Sequence, residues 1–196
     1  MQAAEFLDAL AKPLKKLQPP KSSSSQDWTV YMTQCLFDAA KKHLHVHMCS
    51  RTLQKVDGPP KGSLTHMSKE FLYDITLYAS ANWEDWSLPD VIVEHENHHS
   101  HQAFLWDFWK LLTGHAPLRV MFGYANGSDG VEERVKLVHN TAAKSKWQYP
   151  NDSEDLVIVR APNMTWSTWR VLYRRRKTKT WVEYGPATLD EIACKI

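Results

Sequence analysis

The chain is predicted to fold as an α/β domain, a mixed central sheet flanked by helices. Three observations predict this. Short apolar runs rich in β-branched and aromatic residues, such as Val91 to Val93, Leu118 to Tyr124 and Leu156 to Arg160, have the composition of strands. Longer segments lie between them with apolar residues at helical spacing, as at Phe104, Phe108, Leu111 and Leu112. The two kinds of segment alternate through the middle of the chain, the pattern of a sheet covered by helices. With 196 residues, 43% of them apolar and 23% charged, the chain is long enough for one domain with a sizeable core.

Taken in order, residues 1 to 18 read as a short amphipathic helix. Phe6, Leu7, Leu10, Leu14 and Leu17 share one side, and Pro13 is expected to kink or interrupt it. It is suited to pack on the domain or on a second subunit. Residues 19 to 26, rich in proline and serine, read as a linker to the main domain, residues 27 to 196. A second helix is expected from about Asp27 to Met48, with Ser24 or Ser25 as its cap and Lys41, Lys42 and His43 near its end, where the dipole favours cations. Leu53 to Val56 is a weak strand. Phe71 to Ala79 is a stronger one, with Tyr73, Ile75 and Leu77 on one face and Asp74, Thr76 and Tyr78 on the other. A loop carrying Trp83 and Trp86 returns the chain to the strand at Val91, and the two strands form a hairpin-like pair.

A helix from Ser100 to Thr113 and a strand from Leu118 to Tyr124 come next. Asp129 and Glu132 have capping-box spacing before a helix from about Val131. Leu156 to Arg160, Trp166 to Tyr173 and Thr180 to Tyr184 read as three further strands, the last two joined across Arg174 to Lys179.

Several function classes are excluded or disfavoured. A formal net charge of +2 means that nucleic-acid affinity must come from local patches. Cys35, Cys49 and Cys194 are an odd number without CxxC spacing, which favours a reducing compartment over a disulfide scaffold or structural zinc. No apolar run approaches a membrane span and no signal peptide opens the chain, so a cytoplasmic protein without a membrane partner is expected. There is no GxSxG elbow, no Gly-Lys-Ser/Thr after the glycines near position 127, and no dinucleotide fingerprint.

The most informative stretch is Leu88 to Lys110. Glu94 and Glu96 end an apolar strand one residue apart, so they share a face and His95 takes the other. Like charges side by side on one strand face repel unless a cation lies between them. Asp74 belongs to the neighbouring strand, and a suitable register brings three carboxylates together at one edge of the sheet. Such oxygens suit Mg²⁺ or Mn²⁺, and a metal there can polarise a phosphodiester and activate water. The competing reading is that these acids are solvated strand ends.

The series helix, three strands, helix, strand, with these acids in place, resembles the αβββαβ core of the PD-(D/E)XK restriction-endonuclease-like nuclease superfamily. The likeness covers roughly Asp27 to Tyr124, and its motif is short. Asp74 matches the family's first acid, Glu94 the second, and Glu96 the position usually held by lysine. The resemblance implies metal-dependent hydrolysis of DNA, with RNA left open as a substrate. Asp74 and Glu94 would bind the ion, together with the main-chain carbonyl of His95. Glu96 would hold a second metal or take a proton from water. Lys110, on the following helix, would supply the missing positive charge. A member of the fold that has lost catalysis and binds nucleic acid or a protein is the alternative. A homodimer suits double-strand cutting, which needs two sites.

Two further clusters stand out. His95, His98, His99 and His101 suggest transition-metal binding, but they straddle a strand end, a turn and a helix start, so their directions diverge. Arg174, Arg175, Arg176 and Lys177 form the densest positive run and are candidates for nucleic-acid contact. Lys136, His139, Lys144 and Lys146 add charge, and Trp147, Tyr149, Trp166 and Trp169 are candidates for stacking on bases. A solvated hairpin turn over an aromatic core explains the same residues.

Overall fold

A computed structural model describes residues 1–20, 24–50, 73–79, 88–98, 100–144, 152–160 and 168–196. The elements are helices α1 (Ala3–Lys16) and α2 (Ser25–Ala39), strands β1 (His47–Ser50), β2 (Ile75–Tyr78) and β3 (Val91–Glu96), helix α3 (His101–Thr113), strand β4 (Leu118–Tyr124), helix α4 (Gly127–Lys144), strands β5 (Glu154–Arg160), β6 (Trp169–Arg174) and β7 (Trp181–Ala187), and helix α5 (Leu189–Ala193). The seven strands form one mixed sheet in sequence order. β3, β4 and β5 are parallel, and every other neighbouring pair is antiparallel.

Strand alternation divides the core into two layers. Ile75, Leu77, Val91, Val93, Val120, Phe122, Leu156 and Ile158 face α1 and α2. Ile92, Met121, Val157, Val159 and Leu172 face α3 and α4, where Phe104, Phe108, Leu111, Val131, Val135 and Val138 meet them. The strands at the centre are thus apolar on both faces, as parallel strands between helical layers must be.

α1 is part of this core. Phe6, Leu7, Leu10 and Leu14 are buried with α2 and the sheet. Its first turn is tied to β5, where Ala3 N donates to Glu154 Oε2 at 2.9 Å, and its end to α5 through Lys15 and Asp190. The helix runs through Pro13, which forgoes the bond its N–H would give to Ala9 O, and its last turn closes with Leu17 N donating to Pro13 O.

Several expectations are corrected. The second helix stops at Ala39, passes through a π-turn at Ala40–Leu44 and reverses at His45, whose φ is 54°. His47 and Met48 therefore belong to a strand, where Met48 pairs with Leu77. The expected strand at Leu53 to Val56 lies outside the described residues. Tyr73 stands before β2 begins and is not bound by its alternation, so its ring packs with Ile92 on the α3 face, against Gly114. α4 starts at Gly127, which puts Asp129 in the first turn, not at the cap.

The N-terminal end of the parallel strands is held by buried charge. Asp155 on β5 sits between Arg119 on β4 and Arg174 on β6, with Arg119 Nε 2.6 Å from Oδ1 and Arg174 Nε on Oδ2. All three side chains are fully buried. Arg119 also donates to Leu112 O at the end of α3, satisfying a terminal carbonyl.

Candidate metal centre

The antiparallel register of β2 and β3 pairs Ile75 with Val93. One step back from Ile75 and one step on from Val93, Asp74 stands opposite Glu94, and their carboxyl groups interact through charge. The main chain contributes as well, since His95 N donates to Asp74 Oδ2 at 2.9 Å.

Glu94 is fully buried. Burial, followed by the charge of Asp74, pushes its carboxyl up to about 9, against the pull of Lys110. Lys110 Nζ lies 2.9 Å from Glu94 Oε1 and 3.3 Å from Asp107 Oδ1. Beyond that ion pair, neither oxygen of Glu94 takes a hydrogen bond from the described residues. Asp74 keeps solvent access, yet enough protein surrounds its carboxyl for desolvation to raise its pKa, with the His95 N–H and Lys110 opposing. Partial burial acts against the charge on Lys110, but Glu94 and Asp107 outweigh it and its pKa is raised.

Glu96 extends the cluster on the same face. Its Oε1 accepts from His98 N, and burial followed by the neighbouring Asp107 raises its pKa. Arg134 on α4 is buried with its guanidinium 4.7 Å from the ring centroid of Phe104, and its charge is felt by Glu96. The helix carrying Asp107 and Lys110 approaches closely because β4 has glycine at 123. A Cβ there would lie 2.6 Å from Phe104 Cε2.

The imidazole of His95 takes the opposite face. Its Nε2 is 3.0 Å from Tyr124 Oη, and burial lowers its pKa to about 3. Next to it, the first turn of α2 and the end of β3 border an open cleft of about 440 Å³, lined in part by Ser25, Thr29, Glu96, Asn97 and His98. Only the main chain of His95 adjoins the carboxylates.

Asp74, Glu94, Glu96 and Lys110 are therefore brought together. Asp107 and Arg134 were missed by sequence reasoning. The i,i+3 spacing of Asp107 and Lys110 was a usable signal, whereas nothing local points to Arg134. Among the described residues no three His, Cys, Asp or Glu side chains form a cage able to hold a metal alone. A Mg²⁺ ion ordinarily takes one or two protein carboxylates and completes its shell with water and substrate oxygens. Asp74 and Glu94 fit that requirement, since Glu94 is a buried acceptor short of donors.

The other clusters separate. His98 Nδ1 accepts from Ser100 N, and His101 pairs with Glu133 at 3.0 Å. His99 lies outside the described residues. Arg174 is a correction. It is fully buried, bonded to Asp155, Ser153 and Thr178, and has no surface for a nucleic acid. Strand alternation turned this first residue of the run inward, which a charge count does not register. Arg175, Arg176 and Lys177 are exposed in the β6–β7 turn, but β6 runs antiparallel to β5, so that turn lies towards the end of the sheet opposite Glu96. Trp169 is buried in the core, while Lys146, Trp147, Tyr149 and Trp166 lie outside the described residues.

No family model, curated protein or solved structure matches the chain.

Proposed function

We propose that the chain is a metal-dependent nuclease that hydrolyses DNA phosphodiester bonds, on a restriction-endonuclease-like αβββαβ core made of α2, β1, β2, β3, α3 and β4. One observation carries the reading. Asp74, just before β2, and the buried Glu94 on β3 face each other beside Lys110, and apart from that ammonium on Oε1 Glu94 has no donor among the described residues. A stability-driven fold has no use for two facing acids in such a place. A divalent cation favours the charged forms of both.

Asp74 and Glu94 would hold Mg²⁺ or Mn²⁺, with the carbonyl of His95 beside them, and the ion would supply Lewis-acid polarisation of a phosphodiester and of a water molecule. The His95 N–H fixes the Asp74 carboxylate. Lys110 is positioned to orient the water or to stabilise charge developing on the phosphate. Glu96, at the solvent side, takes the proton or helps to hold a second ion. The odd number of cysteines without CxxC spacing supports a reducing, cytoplasmic setting.

The test is cleavage of plasmid and single-stranded DNA in Mg²⁺, Mn²⁺ or EDTA. Asp74→Ala and Glu94→Ala are each expected to abolish metal-dependent cutting, and undiminished cutting in both variants refutes the reading. The second reading, an inactive module on this fold that binds nucleic acid or a protein, is favoured by Glu96 at the position expected for lysine and by Lys110 being engaged by two acids. Salt-sensitive binding with no cleavage in any metal selects it.

A further inference from the structure

We propose that Trp106 and Trp109, on the outer side of α3, form a platform on which an unpaired base of single-stranded DNA stacks next to the acidic cluster. The pair is exposed, Trp106 at 61% and Trp109 at 40%. The indoles already lie against each other, with centroids 5.3 Å apart and planes 27° from parallel. They lie outside the face by which α3 packs on the sheet, which is formed by Phe104, Phe108, Leu111 and Leu112.

The platform adjoins the candidate metal centre. At about 100° per residue, Trp106 lies between Trp109 and Lys110 around the helix, and Asp107 follows Lys110 towards the core. One edge of a single helix thus carries Lys110, which meets Glu94, and Asp107, which meets Lys110, and the next edge carries two stacked rings. A strand whose phosphate reaches Lys110 has its neighbouring base within reach of the indoles.

The size of the patch selects the partner. The other large apolar side chains exposed among the described residues are Leu88 and Val182, on different parts of the sheet. Among the described residues the patch is these two rings, which fall far short of the roughly 800 Å² per partner of a specific protein interface. They match the face of a base, and base–aromatic stacking does not depend on sequence. A duplex keeps its bases stacked on each other, so the platform favours unpaired strands.

The inference relies on the nuclease reading for the identity of the neighbouring site, and its test is separate from cleavage. Fluorescence anisotropy in EDTA would compare a labelled oligothymidylate with a blunt duplex. The double variant Trp106→Ala/Trp109→Ala is expected to bind the single strand about tenfold more weakly or worse, with duplex binding unaltered. Trp106→Phe/Trp109→Phe should restore most of the loss, whereas Trp106→Leu/Trp109→Leu, which keeps apolar bulk without a broad π-face, should not. Should the alanine variant fail to fold, the phenylalanine and leucine variants make the same comparison. Unchanged single-strand affinity, an equal loss on duplex, or a dimer in sedimentation that the variant converts to monomer would each overturn the inference. Tryptophan-dependent binding in a chain that cuts nothing keeps this inference and removes the hydrolytic one.

Discussion

Lys110 Nζ lies 2.9 Å from Oε1 of a glutamate, Glu94, that has no solvent exposure. The strand ends at Glu96 and the helix starts at His101, and Asp74 faces the same carboxyl from the position before β2. One lysine therefore compensates two facing acids, with Asp107 drawing on the same ammonium. Burial first and the shortage of positive charge second hold the carboxyl of Glu94 above its ordinary range.

Glu94→Gln should therefore stabilise the metal-free protein while removing any cleavage. The folded chain holds a proton on Glu94 up to about pH 9, and the unfolded chain releases it near the ordinary glutamate value. The stability from that proton is present at low pH and fades as pH rises towards 9. Glutamine keeps the shape without the charge. In EDTA at pH 8 the variant is expected to gain about 1–2 kcal/mol, or roughly 2–8 °C in Tm. Calorimetry checks this, and a Tm below that of the unmodified protein contradicts it.

His95 sets an acid limb of opposite sign. The unfolded chain protonates this histidine below about pH 6.5, and the folded chain does so only near pH 3. Stability falls as pH drops through that window, by at most about 4 kcal/mol at its lower end. His95→Gln should flatten the fall between pH 6 and pH 4 in urea titrations. An unchanged slope would show that the imidazole is not held neutral against Tyr124.

Charge at the other end of the sheet behaves differently. Asp155→Asn leaves two buried guanidinium groups without a carboxylate, and a loss of about 3–5 kcal/mol is expected by denaturant unfolding. Neutralising the exposed Arg175, Arg176 and Lys177 together should change stability by less than about 1 kcal/mol. Equal effects of the two substitutions would contradict the division of this basic run into a buried and a solvated part.

Thiol chemistry reports on α2 and β1. Burial pushes Cys35 up to about 12 and raises Cys49, whereas Cys194 is exposed. A thiolate reagent should modify one cysteine rapidly in the native chain and three in denaturant. Rapid reaction of two or more native thiols would mean that α2 or β1 opens readily.

The sequence by itself determined the mixed α/β class, the strand Leu118–Tyr124, the helix after Ser100, and the shared face of Glu94 and Glu96, because these follow from periodicities of two and 3.6 residues within one segment. It could not decide where α2 ends, since the apolar pattern runs on through Val46 while the backbone turns at His45. Nor could it separate Arg174 from its neighbours, because a count of charges ignores which face of a strand each one takes. Only the tertiary structure decided that Asp74 stands opposite Glu94, that Lys110 and Asp107 close over them, and that Arg134 lies behind. Those contacts depend on strand register and on a helix seated against Gly123, relations between segments that no local pattern encodes.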